Sequence, residues 1–136
     1  MTRILVDAGP LVALFSRRDS HHEECAETWK SIQRPVYACW PVLTEAAWIL
    51  RPYDNATEQM LESAKQGLFS ILALNGDDAA AIAAVMKRYS KLRPQLADAA
   101  LVHLADREKI DTVFTLDQRD FRVYRTKSNR PLHLLP

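Results

Sequence analysis

The chain has 136 residues, 18 Lys and Arg against 17 Asp and Glu, a net charge of +1 and 48% hydrophobic residues, the composition of an ordinary globular domain. That excludes a polyelectrolyte binder and a disulfide scaffold, and no apolar run reaches the roughly 20 residues that span a bilayer. The amino terminus lacks the layout of a signal peptide, so one domain over residues 1–136 working in the cytoplasm is expected, with Cys25 and Cys39 reduced packing residues.

Ile4-Leu5-Val6 is a short β-branched run that stops at Asp7. Gly9-Pro10 breaks it, and Leu11, Leu14 and Phe15 recur at helical spacing, which predicts a buried strand turning straight into a helix. Asp7 then lies at a strand's carboxyl end, where chemistry gathers in parallel α/β sheets; it could equally cap the helix. A second helix is predicted from His21 to Ser31, with Glu23 and Glu24 facing its dipole. Pro35 to Cys39 reads as a strand and Val42 to Leu50 as a helix.

Within that helix Glu45 has Val42, Trp48 and Ile49 at helical spacing, which puts a carboxylate on an apolar face. Either it belongs to a site that compensates the charge, or it reaches the helix edge and pairs with Arg51. Ala56 to Gln66 is a further helix ended at Gly67. Phe69 to Leu74 reads as a third strand, and Asp77 and Asp78 as the start of an alanine-rich helix to Tyr89. Ala97 to Lys109 is the next helix. Asp98, in its first turn, either caps it or opens the buried stripe continued by Leu101, Val102 and Ala105, while His103, Asp106 and Arg107 are assigned to the wet face. Thr112 to Thr115 is a fourth strand with Asp117 just beyond its carboxyl end, and Leu132 to Leu135 can supply a last one. Two basic clusters could follow a phosphate backbone: Lys87, Arg88, Lys91 and Arg93, and a run from Arg119 to Arg130.

Alternating strands and helices predict an α/β fold, a three-layer α/β/α sandwich with a doubly wound, mostly parallel sheet of four to five strands. Asp7 and Asp117 would share one sheet edge, and Glu45 and Asp98 would point to it. Acids gathered in this way repel one another unless a cation intervenes. Oxygen-only donors favour Mg²⁺ or Mn²⁺ over zinc, and attack of water on a phosphodiester is the common use of such a site.

The blocks Ile4-Leu5-Val6-Asp7-Ala8-Gly9-Pro10-Leu11-Val12-Ala13-Leu14, Leu43-Thr44-Glu45-Ala46, Leu96-Ala97-Asp98-Ala99-Ala100-Leu101 and Thr115-Leu116-Asp117-Gln118-Arg119-Asp120-Phe121 resemble the acidic blocks of PIN domains, closest to the VapC-like toxin ribonucleases. The resemblance implies Mg²⁺- or Mn²⁺-dependent cleavage of RNA leaving 5′-phosphate and 3′-hydroxyl ends, homodimerisation and a cognate antitoxin protein. It makes Asp7, Glu45, Asp98 and Asp117 the acidic quartet and metal ligands, matches Asp120 to a further acid, and gives Thr115 and Thr44 supporting roles. Arg119, Arg122 and Arg125 are then candidates to hold RNA. Gly9 stands where many members have Ser or Thr. Trp29, Trp40, Trp48, Tyr53 and Phe69 include candidates for a dimer or antitoxin patch.

Rival readings start from the same residues. A haloacid-dehalogenase-like phosphatase would need a second Asp where Gly9 stands, and a receiver domain would need acids ahead of its phosphorylated Asp. A non-catalytic PIN-fold module that binds RNA or protein has no reason to keep repelling carboxylates. A PIN nuclease outside toxin-antitoxin systems remains as the alternative.

Overall fold

The computed structural model describes residues 3–33 and 35–136. Its centre is β1 (Ile4–Val6), every residue of which is fully buried. The chain continues through α1 (Ala8–Phe15), α2 (His22–Ser31), β2 (Val36–Ala38), α3 (Trp40–Leu50), α4 (Ala56–Lys65), β3 (Ser70–Ile71), α5 (Ala79–Arg88), α6 (Leu96–Glu108), β4 (Thr112–Phe114), α7 (Gln118–Phe121) and β5 (His133–Leu135). The five strands form one parallel sheet in the order β3-β2-β1-β4-β5. Sequence neighbours run outward from β1 in one direction and then jump to its other side, so the order reverses between β1 and β4. Crossovers between parallel strands are right-handed as a rule and carry helices to both faces, the doubly wound α/β arrangement expected.

Burial explains the strand composition. A sheet covered on both faces needs apolar residues at successive positions, not alternation, and Ile4-Leu5-Val6 and Val113-Phe114 meet that need with no exposed surface. They join Leu11, Leu43, Leu50, Met60, Leu101 and Leu104 in one buried cluster. Both cysteines are free and buried, and burial pushes each thiol up to about 11. Among the described residues no helix is long and apolar enough to cross a membrane.

Several boundaries move for physical reasons. The third strand was expected from Phe69 to Leu74, but only Ser70–Ile71 joins the ladder; it is an edge strand with one neighbour, and Phe69 turns into the core instead. The helix expected from Val42 begins at Trp40, because Pro41 fits the first turn, where its missing N–H costs nothing. α6 is the largest correction. It is buried from Ala97 through Ala105, so His103, expected on a wet face, is enclosed. Its Nε2 lies 2.8 Å from Asp78 Oδ1, and Arg107 donates to the same oxygen at 3.1 Å. α5 packs over that face of α6, which removes the solvent the pattern implied.

Candidate active site

The carboxyl ends of β1 and β4 flank the point where the strand order reverses, the position at which open α/β sheets bind ligands. A cleft of about 450 Å³ lies there, and Asp7, Glu45, Asp98, Asp117 and Asp120 all line it. Four of these acids come from separate elements, and Asp120 lies in α7, whose N-cap is Asp117. Asp7 follows β1, Glu45 stands in the second turn of α3, Asp98 in the first turn of α6, and Asp117 heads α7.

Asp7 both caps its helix and lines the cleft, whereas the N-cap of α6 is Gln95 and Asp98, the alternative cap, is instead the third residue of a capping box. Asp7 is the N-cap of α1, where its Oδ1 accepts from Ala8 N at 2.8 Å. Asp98 Oδ2 accepts from Gln95 N at 3.2 Å, and Asp117 Oδ1 from Asp120 N at 3.4 Å. Each carboxylate therefore sits against the amide-rich start of a helix, which holds its side chain in place and partly offsets its charge. Thr115 ties two acids together. Its hydroxyl donates to Asp7 Oδ2 at 2.8 Å and accepts from Asp117 N at 3.0 Å.

The charges are poorly compensated. Burial raises the Asp7 carboxyl, opposed by the bonds from Thr115 and Ala8. Burial first, and then the charges of Asp7 and Asp117, raise Glu45. Asp98 is pushed up to about 7 by burial and by the carboxylate of Asp7. Beneath the acids Tyr124 is fully buried, and its hydroxyl has no partner among the described residues. Burial raises it, and of the carboxylate charges that add to the effect Asp98 contributes most.

Hard oxygen donors with an unmet need for positive charge fit a divalent cation of the Mg²⁺ or Mn²⁺ class. Among the described residues, however, no three His, Cys, Asp or Glu side chains close to metal-holding distance. The acids line one cleft without closing to such a group.

Other expected residues fall elsewhere. Thr44 is exposed and donates back to Trp40 O at 2.8 Å, one turn earlier, so it does not join the acids. Arg51 lies 3.6 Å over the Trp48 ring and forms no pair with Glu45. Arg119 and Arg122 are exposed and do not line the cleft; Arg125 lines a separate groove beside α5. Gly9 does line it, and a Cβ there would meet Leu116 at 3.4 Å, ordinary contact, so no steric demand excludes a hydroxyl residue. Of the aromatic candidates, Phe69 is core and Trp29 packs near Phe114, while Trp40 and Trp48 are 56% and 65% exposed. With Met86, Pro94 and Leu96 these two indoles line an apolar hollow that borders Glu45.

Arg93, read from the sequence as part of a basic cluster, is the one cation among the described residues that line the cleft, and it holds a left-handed backbone at φ 50° just before Pro94. One cleft residue escaped the sequence reading: Gln95 supplies the amide that holds Asp98. Its signal lies in the three-residue spacing from Gln95 to Asp98, the span of a capping motif.

Known proteins share this fold. The chain is 26% identical over 124 residues to Ribonuclease VapC26 of Mycobacterium tuberculosis, covering 90% of this chain and 92% of that protein. Its fold is similar to that of Mycobacterium tuberculosis VapC20, described as a sarcin-ricin loop cleaving toxin, with a TM-score of 0.75 and 17% identity over 81% of this chain and 86% of that one. It is also similar to VapBC2 from Rickettsia felis, solved on a promoter DNA fragment, with a TM-score of 0.67 and 12% identity over 99% of this chain and 100% of that one. The PIN domain model matches residues 4–127. With the acids gathered where the strand order reverses and the match spanning nearly the whole sheet, the chain belongs to the PIN domain family.

Proposed function

We propose that residues 1–136 act as one domain, a metal-dependent endoribonuclease that hydrolyses RNA phosphodiesters, and that it is the toxin of a type II toxin-antitoxin pair working in the cytoplasm. The observation that carries the reading is the gathering of Asp7, Glu45, Asp98 and Asp117 at one sheet edge with Asp7, Glu45 and Asp98 all held above the usual carboxylate range. Perturbed acids converging in a cleft are a mark of chemistry.

Asp7, Asp98 and Asp117 are the residues to hold Mg²⁺ or Mn²⁺, with Glu45 and Asp120 beside them. A divalent cation bound there supplies acidified water and positive charge for the leaving oxygen. Thr115 fixes the carboxylate of Asp7 and the backbone of Asp117 in one register. Glu45, half-buried and short of other partners, orients the attacking water and takes up its proton. In-line attack then leaves a 5′-phosphate and a 3′-hydroxyl.

The Trp40–Trp48 hollow supports a protein partner, a second copy or an antitoxin, since exposed apolar surface of this kind is usually covered. The rival reading, a binding module without turnover, draws on the separation of the acids. One assay decides between them: purified protein incubated with mixed cellular RNA in Mg²⁺, Mn²⁺ or EDTA, beside Asp7→Asn and Asp98→Asn. Cleavage that needs the metal and disappears in both variants is expected. Cleavage that persists in EDTA, or metal binding without cleavage, would sink the nuclease reading.

A further inference from the structure

α6 joins the acid cleft to a second, oppositely charged feature. At its far end lies a hollow of about 330 Å³ lined by Arg107, Lys109, Lys127 and Arg130 with the hydroxyls of Thr126 and Ser128. The chain builds it with backbone groups. Lys127 N donates to Asp106 Oδ1 at 2.7 Å, Arg130 N to Thr126 Oγ1 at 3.1 Å, and Thr126 N to Arg130 O at 3.0 Å. The exposed side chains of Lys109, Lys127 and Arg130 are thereby left without structural duty, and among the described residues no salt bridge engages them. Arg107 is held by Asp78 and Glu108, and the enclosed Asp78–His103 pair fixes the floor. A smaller adjoining hollow shares His103, Asp106 and Lys127 and adds Arg88 and Arg125. The cations thus continue alongside α5, whose C-terminal turn leads on to Arg93 at the lip of the acid cleft.

We propose that this groove binds the phosphodiester backbone of a single-stranded RNA whose scissile bond lies among the acids, an inference that rests on the nuclease reading. A cleft of carboxylates repels a polyanion, and among the described residues Arg93 is the one cation lining it. Affinity for the strand therefore has to come from elsewhere on the surface, and backbone phosphates are the usual target of unpaired Lys and Arg. The reach is suitable. The nine residues from Asp98 to Arg107 cover about 14 Å at the helical rise, or roughly four nucleotides of stacked strand.

The test is fluorescence anisotropy with a 12-nucleotide uridylate RNA and the whole protein in EDTA, over a range of salt, comparing the wild type with Lys127→Gln/Arg130→Gln. Both changes leave the backbone bonds in place, and an unchanged melting temperature checks this. The double variant is expected to bind on the order of tenfold more weakly, with a log–log salt slope smaller by about 1.4, the share of two phosphate contacts on a single strand. In Mg²⁺ or Mn²⁺ it should cut mixed RNA with a raised KM and an unchanged kcat. No binding by the wild type, or equal affinity and slope in both proteins, overturns the groove. Intact binding with no cleavage by the wild type would instead unseat the nuclease reading.

Discussion

Thr115 and Asp7 are 108 positions apart in sequence and share a buried 2.8 Å hydrogen bond, while the same hydroxyl accepts the amide of Asp117. One oxygen thus sets the spacing between the first and fourth acids of the quartet. Replacing it with Val removes both bonds at nearly constant volume. Partners of this kind typically change metal affinity or activity by about 10- to 100-fold when lost. Thr115→Val should therefore lower RNA cleavage by about that factor, and Thr115→Ser should restore most of it. Initial rates across a Mn²⁺ titration check this; wild-type rates at every metal concentration would show the bond to be incidental.

Asp98 gives the metal-free protein a pH dependence of unusual sign. Its carboxyl rises to about 7 in the fold from an ordinary 3.8, so the folded state holds the proton more tightly than the unfolded chain. The benefit of protonation is complete below about 4, and it is lost as pH rises through about 7. In EDTA the wild type should melt lower at pH 8 than at pH 5. Asp98→Asn should flatten that difference and add roughly 1–3 kcal/mol at pH 8. Saturating Mn²⁺ should raise the wild-type melting temperature at pH 8 and leave that of the variant little changed. Thermal melts at the two pH values decide the matter, and a wild type more stable at pH 8 than at pH 5 in EDTA would contradict it.

The clasp at the other end of α6 has the ordinary sign. Bonds from His103, Asn75 and Arg107 hold Asp78 down to about 2. Its contribution is present above the unfolded value near 4 and fades as pH falls toward 2. His103→Ala leaves a buried carboxylate short of a donor and opens space under α5, which should cost about 1–3 kcal/mol. The kcat for RNA cleavage by the folded fraction should be unaffected, since the clasp does not touch the acid cleft, while KM should rise if the floor of the basic groove is disturbed. Urea denaturation and specific activity, measured together, separate the two effects.

The acids were legible because each leaves a local trace: a β-branched run that ends in Asp, or an acid that opens a buried helical stripe. What those traces cannot carry is three-dimensional covering. His103 was assigned to solvent because its helix neighbours are charged, yet α5 closes over it. Thr44, one residue before Glu45, points about a quarter turn away from it on α3 and bonds to its own helix. Arg93 was legible as one of a basic cluster, but it reaches the cleft through a left-handed backbone that few non-glycine residues adopt, which the cluster does not announce. Of the aromatic residues offered for a docking patch, Trp40 and Trp48 do stand in the open while Phe69 is core, a division that residue type alone does not draw.

β1 pairs with β2 on one side and with β4, more than a hundred residues later, on the other. During synthesis the first strand must therefore wait for most of the chain before its second edge is filled. Until residues 112–117 have left the ribosome, Asp7 has neither Thr115 nor Asp117 beside it. On the proposed nuclease function, a chain that stops short of residue 112 would hold an incomplete acid quartet and would leave the RNA around it uncut.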